Sequence, residues 1–223
     1  MRTSVGWWSD RSIEWFSRAS AESSFHMELS ALIMKHIDPS FSVLEAGCGL
    51  GYEAQLLAKA GYAVKALDKD PRVVEAAARR TGQDIFRCAD LYESDEKADV
   101  LLCVNFGYIE SADDLRRLAG HAEKKIVCVM SRHTNRDNVS RQDRTEKVKS
   151  LLEEAGFRFS MTDFSLDFDQ PLLSMEEAAE FISWTYPDDD VQRFLGFVEP
   201  SGDSEYPFKL GNRKNMVLFD IEL

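Results

Sequence analysis

Most of what would mark a chain for a special environment is missing here. No apolar run approaches the roughly 18–20 residues that a helix needs to cross a bilayer. The first residues, Met1-Arg2-Thr3-Ser4-Val5-Gly6-Trp7-Trp8, hold no apolar stretch of the secretory kind. A cytoplasmic protein without a membrane partner is therefore expected. Cysteine is scarce, with 4 in 223 residues, and none has the spacing of a metal knuckle. Cys88, Cys103 and Cys128 each fall in an apolar segment that reads as a buried strand, and Cys48 falls in a glycine-rich turn; all four are expected to be reduced packing residues. Zinc, calcium and haem spacings are absent, as is a Gly-x-Ser-x-Gly nucleophile elbow, so no metal is expected. Positive charge is also short: 27 Lys and Arg face 39 Asp and Glu, for a net charge of -12. Such a surface repels phosphate backbones and makes nucleic acid an unlikely partner. The local basic cluster, Arg132-His133-Thr134-Asn135-Arg136 with Arg141 and Arg144, is interleaved with acids and reads as a solvated face.

What is present is ordinary for a soluble globular chain: 44% hydrophobic and 30% charged residues. The length suits one domain with room for an insertion. Short apolar runs alternate with helical patterns, which argues for βαβ units and a mostly parallel sheet. Residues 1–40 read as an N-terminal helical arm, ended by Asp38-Pro39-Ser40. Strands are expected at 41–46, 63–67, 84–88, 100–104, 126–130 and 157–164. Helices are expected between them, the last from about Val139 to Ala155. Residues 41–164 form the expected core, 165–213 an insertion, and 214–223 the last strand. Within the insertion, Ser174-Met175-Glu176-Glu177 matches a capping box ahead of a helix through Phe181 and Trp184, and Asp188 to Phe197 reads as a second short helix.

The informative segment is Glu45-Ala46-Gly47-Cys48-Gly49-Leu50-Gly51, at the end of a strand and the start of a helix. Glycine removes side chains where the backbone turns tightly and where a ligand must approach it. The next helix aims its free N–H groups and positive dipole end at that space. Asp68 ends the second strand, well placed to accept hydrogen bonds from a ribose diol. Asp90 ends the third strand, where a carboxylate can accept from an adenine amine while a neighbouring N–H meets a ring nitrogen.

On those residues the chain resembles the class I S-adenosylmethionine-dependent methyltransferase family, from about Ser42 to Met130. The resemblance implies a Rossmann-like α/β fold: a seven-stranded, mostly parallel sheet with helices on both faces, its last strand antiparallel. It implies S-adenosylmethionine as cofactor and S-adenosylhomocysteine as product. Glu45, Gly47, Cys48, Gly49 and Gly51 would form the turn that packs against the methionine part. Asp68 would hold the ribose, Asp90 and Leu91 the adenine, and Asn105 would offer backbone carbonyls to the amino group; Lys69 is also expected among the cofactor-binding residues. A dinucleotide is the competing ligand, because Gly49-Leu50-Gly51-Tyr52-Glu53-Ala54 satisfies G-x-G-x-x-A. Glu45 would repel an incoming pyrophosphate, and Gly47 would have no part to play in that reading.

Catalytic candidates are few. Asn105-Phe106-Gly107-Tyr108 keeps the spacing of Asn-Pro-Pro-Tyr but lacks both prolines, so Tyr108 is read first as a pocket wall. His133, beside Arg132, and His26, in the arm, are candidate bases whose bland readings are a surface loop and a satisfied helix histidine. Trp7, Trp8, Trp15 and Phe16 at one end, and Phe181, Trp184 and Tyr186 at the other, would form an apolar lid if both segments cover the strand ends. The expected acceptor is a small molecule. A protein or RNA acceptor, and a binding module without turnover, are the alternatives. A monomer or homodimer is expected.

Overall fold

The computed structural model describes residues 8–107, 109–132, 144–187 and 190–223. Two arm helices, α1 (Asp10–Ala21) and α2 (Phe25–Met34), precede the first strand. The core then alternates β1 (Val43–Ala46), α3 (Tyr52–Lys59), β2 (Val64–Asp68), α4 (Pro71–Thr81), β3 (Phe86–Cys88), β4 (Ala98–Val104), α5 (Ala112–Ala119), β5 (Ala122–Ser131), α6 (Thr145–Glu154) and β6 (Arg158–Asp167). The insertion holds β7 (Gln170–Leu172), α7 (Met175–Thr185), α8 (Val191–Leu195), β8 (Val198–Pro200) and β9 (Phe208–Leu210), and β10 (Arg213–Glu222) closes the chain.

Seven strands form one sheet in the order β3-β2-β1-β4-β5-β10-β6. The β1, β2, β3, β4 and β5 pairings are parallel, and β10 runs antiparallel to both neighbours. Side-chain alternation explains why helices cover both faces. Leu44, Leu101, Cys103, Ile126, Cys128, Val217 and Phe219 pack on one side with Leu115 and Leu118 of α5 and Val148 and Leu152 of α6. Val43, Val100, Leu102, Val127, Val129, Met216 and Leu218 pack on the other with Leu29 and Ile33 of α2 and Leu57 of α3. Chain direction takes the sheet outward from β1 one way and from β4 the other. The crevice between those two strand ends is therefore the topological switch point where open α/β sheets take ligands.

Local chemistry fixes the helix ends. Asp70 caps α4 through a bond from Arg72 N, and Pro71 fills the first position. Ser174 caps α7 by accepting from Glu177 N as its motif implied. The Glu177 carboxylate, however, turns away to Leu173 N at 2.6 Å and to Arg18, so the box is not closed reciprocally.

Three expectations need correction. The insertion holds a three-stranded sheet, order β7-β9-β8, in addition to its helices. Its strands are three residues long and two contain proline, so no alternation marks them. Cys88 is exposed, because β3 is the edge strand and buries Phe86 alone. Strand β5 begins at Ala122, four residues before its apolar run, since Glu123 and Lys124 occupy its exposed start. Among the described residues no helix is long and apolar enough to cross a membrane.

Arm and insertion meet in a buried joint. The Arg18 guanidinium lies 2.8 Å from Glu177 Oε2, and Trp15 Nε1 donates to Glu177 Oε1 at 3.1 Å. The Trp15 ring packs edge-on against Phe181 at 5.3 Å and against Trp184 at 5.9 Å.

Candidate functional site

The glycine turn sits at the carboxyl end of β1, beside the ends of β2 and β4: Ala46 is level with Leu67 on one side and Cys103 on the other. Gly47, Gly49 and Gly51 have φ of 66, 52 and 68°, a left-handed backbone that side chains strain to adopt. Space forbids side chains as well. An added Cβ would stand 2.5 Å from the Phe106 ring at Gly47, 3.0 Å from Trp8 at Gly49 and 2.2 Å from Phe86 at Gly51. Phe86 is core. Phe106 follows β4, and Trp8 precedes α1, so two segments flanking regular elements lay aromatic rings on the turn.

Glu45 is a carboxylate in the middle of a wholly buried strand, 2% exposed. Gly51 is the N-cap of α3 and has no side chain to cap it. The Glu45 carboxyl faces the first turn of that helix, near the Ala54 N–H. Its Oε2 has no partner. Burial, the charge of Glu53 and the charge of Asp68 hold its carboxyl well above the usual carboxylate range. Cys48, buried beside it, is pushed up by burial and by the Glu45 and Asp68 charges, so it is a packing thiol.

Asp68 is 5% exposed, and its two oxygens accept from Gly49 N and Asp70 N, both at 2.9 Å. It stitches the end of β2 to the turn, and burial raises its carboxyl. Lys69, next to it, is exposed. Asp90 is half-buried and accepts from Tyr92 N at 3.0 Å, opening a 3-10 turn at Leu91, which is buried. Asn105 carries the lone positive φ of a non-glycine among the described residues, 50°. Its Oδ1 accepts from Ser131 N at 3.1 Å and from Ser131 Oγ at 3.0 Å, tying β4 to β5.

The turn, Glu45, Asp68, Asp90, Leu91 and Asn105 thus line one edge of the sheet on four adjacent strands. His26 lies behind the turn, with Glu53 on Nδ1 at 2.5 Å and Ser20 Oγ on Nε2 at 3.0 Å, which leaves neither nitrogen free. Tyr108 and His133 lie outside the described residues. Arg132 pairs with Asp163 and Glu146. A cavity of about 350 Å³ lies where arm and insertion meet, among Glu22, Asp167, Asp169, Asp203, Tyr206 and Lys209. It includes none of the candidate cofactor residues.

Sequence reasoning missed Phe106 and Trp8 as the rings on the turn. Phe106 stands inside Asn105-Phe106-Gly107-Tyr108, where only the Asn and Tyr matched a pattern. Glu53 was read only as a variable position of a glycine motif.

Residues 44–124 match the family model of a methyltransferase domain. That span runs from β1 into β5 and contains the turn, Asp68, Asp90 and Asn105. Magnesium protoporphyrin IX methyltransferase from Synechocystis with bound SAM superposes with a TM-score of 0.54 at 15% identity, over 90% of this chain and 79% of that one. The YcgJ protein from Bacillus subtilis gives a TM-score of 0.58 at 14% identity, over 88% and 98%. Precorrin 8W decarboxylase from Methanobacterium thermoautotrophicum gives 0.52 at 16% identity, over 88% and 90%. At such identities the likeness is one of fold. No curated protein matches the sequence.

Proposed function

We propose that this chain, whose residues 44–124 match the model of a methyltransferase domain and whose sheet has the Rossmann-like fold of class I S-adenosylmethionine-dependent methyltransferases, binds that cofactor at the glycine turn and methylates a small molecule. The observation that carries the reading is Glu45 Oε2, buried without a partner one residue before a turn that has no side chains. An uncompensated buried carboxyl is costly, and a cationic ligand group beside it removes the cost. The residues present fit an adenosyl cofactor. Glu45 meets an ammonium, the turn admits the aminoacyl part, Asp68 meets a ribose diol and Asp90 an adenine amine.

Bound there, the cofactor supplies a sulfonium-activated methyl group. The protein's own task is alignment and exclusion of water. The rings of Trp8 and Phe106 rest on Gly49 and Gly47, so they must shift to admit the methionine part, and they then wall the site. Each oxygen of the Asp68 carboxylate accepts one backbone donor, which leaves acceptor capacity for a ribose hydroxyl. Asn105, fixed by Ser131, presents a left-handed peptide at the end of β4. A small acceptor is favoured by the net charge of -12 and by the aromatic joint of Trp15, Phe181 and Trp184, which brings the arm and insertion together. The magnesium protoporphyrin IX methyltransferase of similar fold is in keeping with a small acceptor.

A thermal-unfolding panel of the whole chain tests the reading. At a hundred times Kd, S-adenosylmethionine or S-adenosylhomocysteine should raise the midpoint by roughly 5–10 °C, with no shift from NAD. Stabilisation by NAD alone would overturn it.

A further inference from the structure

A glycine turn loses more conformational entropy on ordering than any other segment of equal length, and this one has few bonds of its own. Gly51 N donates to Cys48 O at 2.8 Å and Gly49 N to Asp68 at 2.9 Å. The rest of its support comes from outside. Arg80 donates from Nη2 to the carbonyl of Leu50, between the second and third glycines, at 2.9 Å, and from Nη1 to Gln55 at 2.6 Å. Its guanidinium stands 3.9 Å from the centre of the Tyr52 ring. The opposite face of Tyr52 is covered by His26, with centroids 4.3 Å apart and planes within 10°.

His26 belongs to α2, and its own position is fixed on every side. Ser20 Oγ donates to Phe16 O at 2.7 Å and lies 3.0 Å from His26 Nε2. The other nitrogen, Nδ1, lies 2.5 Å from Glu53 Oε1. Glu53 is 6% exposed and is the second residue of the helix that the turn opens. Phe16 and Phe168 pack on the imidazole at 5.7 and 5.6 Å.

We propose that His26 is a positioning residue for the cofactor site: through Tyr52, Arg80 and the Leu50 carbonyl on one path, and through Glu53 on another, it holds the glycine turn at its working height and makes docking of the N-terminal arm a condition of cofactor binding. The inference rests on the reading of the turn as the S-adenosylmethionine site. It assigns the arm a role in affinity that core packing alone would not give it.

Amide hydrogen exchange of the free chain and calorimetric titration with S-adenosylhomocysteine test it together. In His26→Leu, exchange at Gly49 and Gly51 should speed up about tenfold and binding should weaken about tenfold, one coupling between residues in contact. Amides of Val217 and Phe219 in β10 should exchange as before. His26→Asn, which keeps a donor near the Nδ1 position, should recover most of the affinity. Arg80 is exposed, so Arg80→Gln folds whatever happens at His26, and it should show the same turn-specific loss. Wild-type exchange at the turn in both variants, or losses spread evenly over the chain, would overturn the proposal. If the wild-type chain binds no S-adenosylhomocysteine, the functional reading fails, while the exchange data still decide the brace.

Discussion

Replacing Glu45 with Gln separates what the site costs from what it does. The carboxyl is buried in β1 near the Ala54 N–H and leaves Oε2 unpaired. Burial first, then the charges of Glu53 and Asp68, raises it above the ordinary value of 4.5. A carboxyl raised in the folded state binds its proton more tightly there than in the unfolded chain. Stability is therefore full below the ordinary value and falls as pH rises through the window up to the folded value. Each unit of displacement removes about 1.4 kcal/mol once that window is passed. Glutamine keeps the acceptor and has no proton to lose. At pH 8 the ligand-free variant should be more stable than wild type, with a flatter pH profile and convergence near pH 4. Its affinity for S-adenosylhomocysteine should fall about 10- to 150-fold, the worth of one charge-assisted hydrogen bond. Thermal unfolding from pH 4 to 8, followed by titration calorimetry, reads both. A variant less stable than wild type at pH 8, or one that binds as tightly, would refute the reasoning.

Two further substitutions probe the surroundings. Gly47→Ala forces a side chain to φ 66° and to 2.5 Å from Phe106; it should cost about 1–3 kcal/mol in a denaturant titration and abolish measurable cofactor binding. Glu177→Ala leaves the Arg18 guanidinium buried with the half-exposed Glu14 as its one remaining carboxylate partner; the melting point should drop roughly 6–12 °C, about 3 kcal/mol, and wild-type melting would remove the joint from the account.

The parallel core was legible because its strands bury both faces. Val100 to Val104 and Ile126 to Met130 are unbroken apolar runs, and the glycines, Asp68 and Asp90 announce themselves by falling at strand ends. The strand order was not legible from periodicity and came with the family resemblance. The small sheet of the insertion was invisible, since Gln170-Pro171-Leu172 and Val198-Glu199-Pro200 carry no period that a window can detect. The supports of the turn were hidden for a different reason. His26 and Glu53 are 27 positions apart, and Trp8 reaches Gly49 across 41; such pairings are set by how the arm docks, which no local pattern encodes. Asp68 was recognised by position, but not as a brace whose oxygens already hold Gly49 and Asp70.

A crystal structure of the whole chain with S-adenosylhomocysteine tests the central claim most directly. The account predicts the aminoacyl nitrogen at Glu45 Oε2, the ribose diol at Asp68, the adenine beside Asp90 and Leu91, and the Trp8 and Phe106 rings moved off the glycines. A ligand seated elsewhere, with Glu45 still unpaired and both rings still on the turn, would contradict it.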